Sequence, residues 1–133
     1  MPLLQGRNFE AQDKLGSQRV VIVDEALANS FFPGQNPLGQ QIGVRMDVGS
    51  TNVCTVIGVV PHVRHNSPDY QQTAFHAYFP SNQYNFDFQI LILRSTGDPA
   101  ALIPAIRKAV ASIDPDVPVA KADSLDNLID KKL

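Results

Sequence analysis

Apolar and polar positions alternate in short blocks along this chain, and the first strong block is Val20-Val21-Ile22-Val23. Its β-branched side chains suit a pleated strand buried on both faces. Asp24 follows at once, where a carboxylate accepts bonds from the first free amides of a helix and complements the positive end of its dipole. Leu27 and Phe31 stand four apart, as do Ala28 and Phe32, which predicts a helix turning an apolar stripe back onto its own strand. Pro33 stops that helix and Gly34 permits the reversal. Beyond Pro37-Leu38-Gly39, the run Gln40-Gln41-Ile42-Gly43-Val44 predicts the next strand.

The remaining pattern is mixed. Residues 1–17 form a leading segment in which Leu3-Leu4 and Gly6-Arg7-Asn8-Phe9 predict a short strand or turn before a polar loop with Asp13 and Lys14. Residues 46–52 predict a hairpin turn, and 53–60 a long strand apolar on both faces, at home inside a sheet. Gly58 marks a bulge or a close neighbour in it, and Pro61 ends it because proline cannot donate to a ladder. Residues 62–82 are the least regular, with a turn at Ser67-Pro68-Asp69 and a strand over 74–79 ended by Pro80.

In the last third, Phe86, Phe88, Ile90 and Ile92 alternate on one face, with Leu91 and Leu93 on the other, predicting a strand over 86–94. Asp98 and Pro99 start a helix with cap and first-turn proline in their favoured places. Leu102, Ile106, Val110 and Ile113 mark its buried stripe to about Asp114, with a small kink at Pro104. Asp114-Pro115-Asp116 ends the helix, and Val117-Pro118-Val119 predicts a short edge strand. Residues 124–133 predict a closing amphipathic turn through Leu125, Leu128 and Ile129. Strands interrupted by two helices define an α+β class: a mixed-strand lobe with one helix, then a β-α-β half of the split ferredoxin-like kind. No second half of matching pattern occurs in the sequence.

Composition narrows the function classes. At 133 residues, 44% apolar and 18% charged, the chain is one globular domain with a core of ordinary size. A net charge of -2 with both signs scattered gives no clustered basic surface for nucleic acid. Cys54 is the single cysteine, so no internal disulfide forms. No apolar stretch approaches the roughly 18 residues needed to cross a bilayer.

Candidate chemistry is sparse. His62 and His65 sit three apart, with His76 downstream and Cys54 upstream; a zinc site wants close ligand pairs on both arms, and only one pair exists, so no metal site is expected. Asp114 and Asp116 resemble a carboxylate couple, but the proline between them makes a helix-ending turn. The glycines of 34–43 lack the order of a phosphate cradle, and Ser30 and Ser95 lack a nucleophile elbow. Cys54, mid-strand, and Phe31 and Phe32 are assigned to the core. Tyr70, Tyr78 and Tyr84 lie in the irregular region, where they could face a partner, though polar loops carry tyrosine routinely. The residues thus describe a domain without a catalytic, cofactor or metal site, whose default function is interaction.

The ordered strings extend this. Gly6-Arg7-Asn8-Phe9, VVIVDEALANSFFPGQNPLGQQI, VIGVV with Val63-Arg64-His65 after it, Tyr78 through Pro80, Leu93-Arg94 and GDPAALIPAIRKAVASIDPDVPV together resemble the extracytoplasmic domain of ABC-transporter permeases of the MacB-like, FtsX-like group. Where that group would place a Gly-Asp-like pair after VIGVV, this chain has Pro61-His62.

The resemblance implies a non-catalytic domain held between membrane helices of a permease, on the periplasmic side of the bacterial inner membrane. It implies a cytoplasmic ATPase domain or subunit whose cycle the domain relays mechanically for export, and in some members contact with an adaptor protein or lipoprotein. It also implies two lobes: residues 1–84 as an inserted mixed lobe and 85–123 as the second half of a porter lobe, with 124–133 leading toward a membrane helix. Candidate partner contacts are His62, Arg64, His65, Tyr70 and Tyr84. A strand over 86–93 with one face uncovered and a free edge also predicts self-association. The alternative is a free-standing soluble ligand-binding or enzymatic domain using the 62–84 loop region.

Overall fold

The computed structural model describes residues 2–47, 50–63, 75–84 and 89–131. The chain divides into two compact units, Met1–Asp87 and Phe88–Leu133. All the strands of the described residues belong to the first unit.

That unit is organised around β4 (Ser50–Val60) and β2 (Val20–Asp24). They lie side by side in parallel, from Val20 opposite Thr55 to Asp24 opposite Val60. The free edge of β4 is shared by two antiparallel strands in succession: β3 (Gln41–Asp47) covers its first half and β1 (Gln5–Gly6) its last residues. On the far side of β2 sits β5 (Ala77–Tyr78), antiparallel and only two residues long. The β-branched run expected at 20–23 is thus a central strand, and every residue of β2 is buried. Val21 and Val23 meet Leu27, Ala28, Cys54, Val56 and Val59 in the core, with Phe32, Leu38, Ile42, Val44, Ala77 and Phe79 packed around them. Each fully buried Val or Ile there contributes about 1.5–3 kcal/mol by leaving water.

Helix α1 (Glu25–Phe31) begins where the carboxylate rule places it: the Leu27 amide donates to Asp24 Oδ1 at 2.8 Å. Leu27 and Ala28 face the sheet as expected. Phe31, assigned to the core from its spacing, is 61% exposed. The helix ends at this residue, and its ring meets Phe75 edge-on, with centroids 5.8 Å apart.

Gly58 fulfils both readings of its position. The register of β2 on β4 skips Ile57, a bulge, and a side chain at Gly58 would meet the Arg7 carbonyl at 2.8 Å. Opposite it stands Gly6, with φ +82° and no room for a Cβ against the Ile57 carbonyl. The two glycines let β1 approach β4 closely. Polar clusters also tie the described parts of this unit together. Arg7 forks onto Asp13 with two bonds of 2.8 and 2.9 Å, and the Glu10 amide adds a third. Gln83, buried beside β2, accepts from the Val20 amide and donates to the Gln18 carbonyl and the Ser17 hydroxyl. Its side chain does there what a longer β5 would have done.

In the second unit the helices form and the expected strands do not. Asp98 caps a 3-10 turn, Pro99–Leu102, by accepting from Ala100, and α2 (Ile103–Ile113) continues it with Pro104 in its first turn. The change from 3-10 to α winding stands where a kink was expected. Asp114 ends α2, taking the Asp116 amide on its side chain. Ser124 caps α3 (Leu125–Asp130). Residues 89–94 and 117–119 carry no strand, and Ile90, Leu91, Ile92 and Leu93 are 80, 69, 88 and 60% exposed. A lone extended segment has unpaired amides and carbonyls, and a strand exists only by pairing. Residues 86–88 lie outside the described residues. The expected stripe of α2 is likewise uncovered at its end, where Ile113 is 87% exposed. The class is α+β, a mixed sheet with few helices.

Candidate functional site

Three side chains from three neighbouring strand ends converge beside β2. Asp24 closes β2; His62 follows Pro61 directly after β4; His76 immediately precedes β5. The parallel register that sets Asp24 opposite Val60, and the antiparallel one that sets Val23 opposite Ala77, bring these ends together. The Asp24 amide donates to the His76 carbonyl at 2.9 Å, which ties the first and third ends through the backbone as well.

The Asp24 carboxylate is divided between two tasks. Oδ1 caps α1, while Oδ2 lies 2.6 Å from His62 Nδ1 and 3.2 Å from His76 Nδ1. An ionised carboxylate oxygen only accepts, so each Nδ1 carries a proton in this arrangement. The imidazole rings sit 5.4 Å apart at 42°. Glu25 adds a second carboxylate, accepting from the His62 amide at 3.3 Å. The Asp24 side chain is 1% exposed, those of His62 and His76 are 22 and 23% exposed, and the ligand atoms of all three fall within 4.8 Å of one another.

Burial pushes the Asp24 carboxyl up, yet the hydrogen bonds from His62, the Leu27 amide and His76 outweigh it and hold the group below the usual carboxylate range. Asp24 is therefore a buried anion at neutral pH. Among the described residues no Lys or Arg pairs with it; its partners are two imidazoles.

The sequence paired His62 with His65, whereas the structure joins His62 to His76 on Asp24. Arg64, His65 and Tyr70, three of the five candidate partner contacts, lie outside the described residues. Tyr84, the fifth, is half-buried rather than presented on a loop: its hydroxyl lies 3.4 Å from Cys54 Sγ, its ring meets Phe79 edge-on, and Arg19 stacks over it at 5.0 Å. Burial first, then the contact with the thiol, raises its phenol above the ordinary value. Tyr78, in β5, is half-buried too. Asp114 and Asp116 stay a helix-ending turn. The signal for the Asp24 cluster was that each member borders a strand, but which strand ends meet depends on register, which local pattern does not carry.

Which family the chain belongs to is read from the sequence as a whole, beside this α+β fold and its mixed sheet. Residues 1–109 match the family model of the MacB-like periplasmic core domain, well over half of the chain, and the chain belongs to that family. This is the extracytoplasmic domain of an ABC-transporter permease, associated with the transmembrane permease and its ATPase, and the family is a transporter domain and not a known catalytic one. No curated protein and no solved structure matches the chain. Among the described residues no helix is long and apolar enough to cross a membrane.

Proposed function

We propose that this domain is non-catalytic and relays ATP-driven motion of the permease to the outer side of the inner membrane, in the service of export. In this reading residues 1–84 are the inserted mixed lobe, 85–123 supply one half of a porter lobe, and 124–133 lead toward a membrane helix that anchors the protein. The observation that carries it is the exposed apolar run Ile90-Leu91-Ile92-Leu93, with Ile113 of α2 equally uncovered. A surface of that kind is what half of a lobe presents before its other half pairs with it. The other half comes from the same permease, and in its absence a second copy of this chain takes its place through 86–93. An adaptor protein or lipoprotein is met by the region that begins at His62.

Cysteine pairs test this in the intact transporter. Ile92→Cys, combined in turn with single cysteines along the permease's remaining periplasmic segment, should give oxidative cross-links that slow ATP hydrolysis, reversibly on reduction. Absence of any cross-link, with hydrolysis unmoved by oxidation, would refute the relay.

A further inference from the structure

The Asp24–His62–His76 cluster satisfies the demands of a cation site better than those of a hydrogen-bonded core. The Asp24 carboxylate is 1% exposed, its only side-chain partners among the described residues are imidazoles, and the ligand atoms of all three lie within 4.8 Å of one another. Among the described residues no Lys or Arg reaches that carboxylate, and a buried carboxylate without a cation is costly. Two imidazole nitrogens and one carboxylate oxygen form the donor set that suits zinc and its first-row neighbours. The donors come from three strand ends fixed by the sheet, not from flexible surface side chains. Both rings retain about a fifth of their exposure, which leaves a path from solvent.

We propose that Asp24 Oδ2, His62 Nδ1 and His76 Nδ1 bind a divalent transition-metal ion of the zinc class, with water at the remaining position. Ligands at about 2.0–2.2 Å from a tetrahedral ion stand about 3.3 Å from one another. The 3.2 Å between Asp24 and His76 already meets that spacing. The 2.6 Å between Asp24 and His62 must open by about 0.7 Å to reach it, a movement of the His62 ring away from the carboxylate. On binding, each Nδ1–H···O bond is replaced by an Nδ1–metal bond: Nδ1 gives up its proton to water, and each bound ring carries its single N–H at Nε2. Oδ1 keeps its cap on α1. The ion then fastens the ends of β2, β4 and β5 together at one point. This site is independent of the relay function proposed above.

Titration of zinc ion into the protein at pH 7.5, read by competition with a chelating dye, tests this directly. About one ion per chain should bind, with thermal unfolding moved upward by mass action, and cobalt ion should give the visible bands of a tetrahedral site. His62→Ala and His76→Ala, each checked for native circular dichroism, should weaken binding by about tenfold or more. Imidazole nitrogen shifts in the unsubstituted protein give a second readout that needs no variant: His62 and His76 should pass from Nδ1–H to Nε2–H as metal is added. Failure to bind at micromolar metal, binding indifferent to both substitutions, or rings coordinated through Nε2 would overturn the assignment.

Discussion

The two units of this domain use apolar residues in opposite ways. In Met1–Asp87 the apolar blocks of the sequence find one another: Val20 to Val23 of β2 and Val56, Val59 and Val60 of β4 are buried to within a few per cent. In Phe88–Leu133 blocks of similar strength stay in water, and Ile92 is 88% exposed. The difference is in pairing. β2 has β4 on one side and β5 on the other, whereas residues 89–94 find no strand among the described residues. Hydrophobic pattern thus states what a segment needs, and only the rest of the fold decides whether the need is met.

The sharpest break of this contrast is Gly6→Ala. It forces a side chain into left-handed backbone and against the Ile57 carbonyl, at about 1–2 kcal/mol for the first effect and 1–3 for the second. Chemical denaturation should show a loss of about 3 kcal/mol, and near-normal stability would mean that β1 does not dock closely on β4.

A smaller loss is expected from Arg7→Ala, which leaves Asp13 buried without its cation. Because Arg7 is more than a third exposed, solvent screens the pair, and about 1–2 kcal/mol is the expected cost. The same pair sets an acid limit. Hydrogen bonds from Arg7 first, opposed by burial and helped by the Glu10 amide, hold the Asp13 carboxyl below its ordinary value. A depressed folded pKa means that the native state binds fewer protons than the unfolded chain, so this contribution is complete above about pH 4 and is lost as pH falls below it. Asp13→Asn should flatten that part of the stability–pH curve; an unchanged acid limb would count against the pair.

The least effect is expected in the second unit. Ile90→Ser and Ile92→Ser should each alter the stability of the single chain, measured at a dilution where copies do not associate, by no more than about 0.5 kcal/mol, since neither side chain leaves water when one chain folds. A loss of several times that under the same dilution would show that the run is buried within one chain.

Much of the first unit was legible in the sequence for local reasons. A β-branched run, a carboxylate at a strand–helix joint, a glycine inside a strand and a proline at its end each act over a few residues, and β2, the α1 cap, the Gly58 bulge and the end of β4 appear where they were expected. The caps at Asp98 and Ser124 are local in the same sense. Phe31 was misjudged because spacing gives direction on a helix and not what covers it. The Asp24–His62–His76 cluster was not legible, since Asp24 and His76 are separated by the whole of α1, β3 and β4. Gln83 escaped for a similar reason: nothing nearby in the sequence shows that an amide side chain will take up the Val20 amide left beyond the two-residue β5.

Because β2 and β4 run in the same direction with five residue pairs between them, tension applied at the start of one and the finish of the other falls on the whole ladder at once, in shear. The β3–β4 hairpin, drawn apart from its open end, would instead yield bond after bond like a zipper. For the relay proposed above, such a sheet offers one stiff axis and one yielding axis.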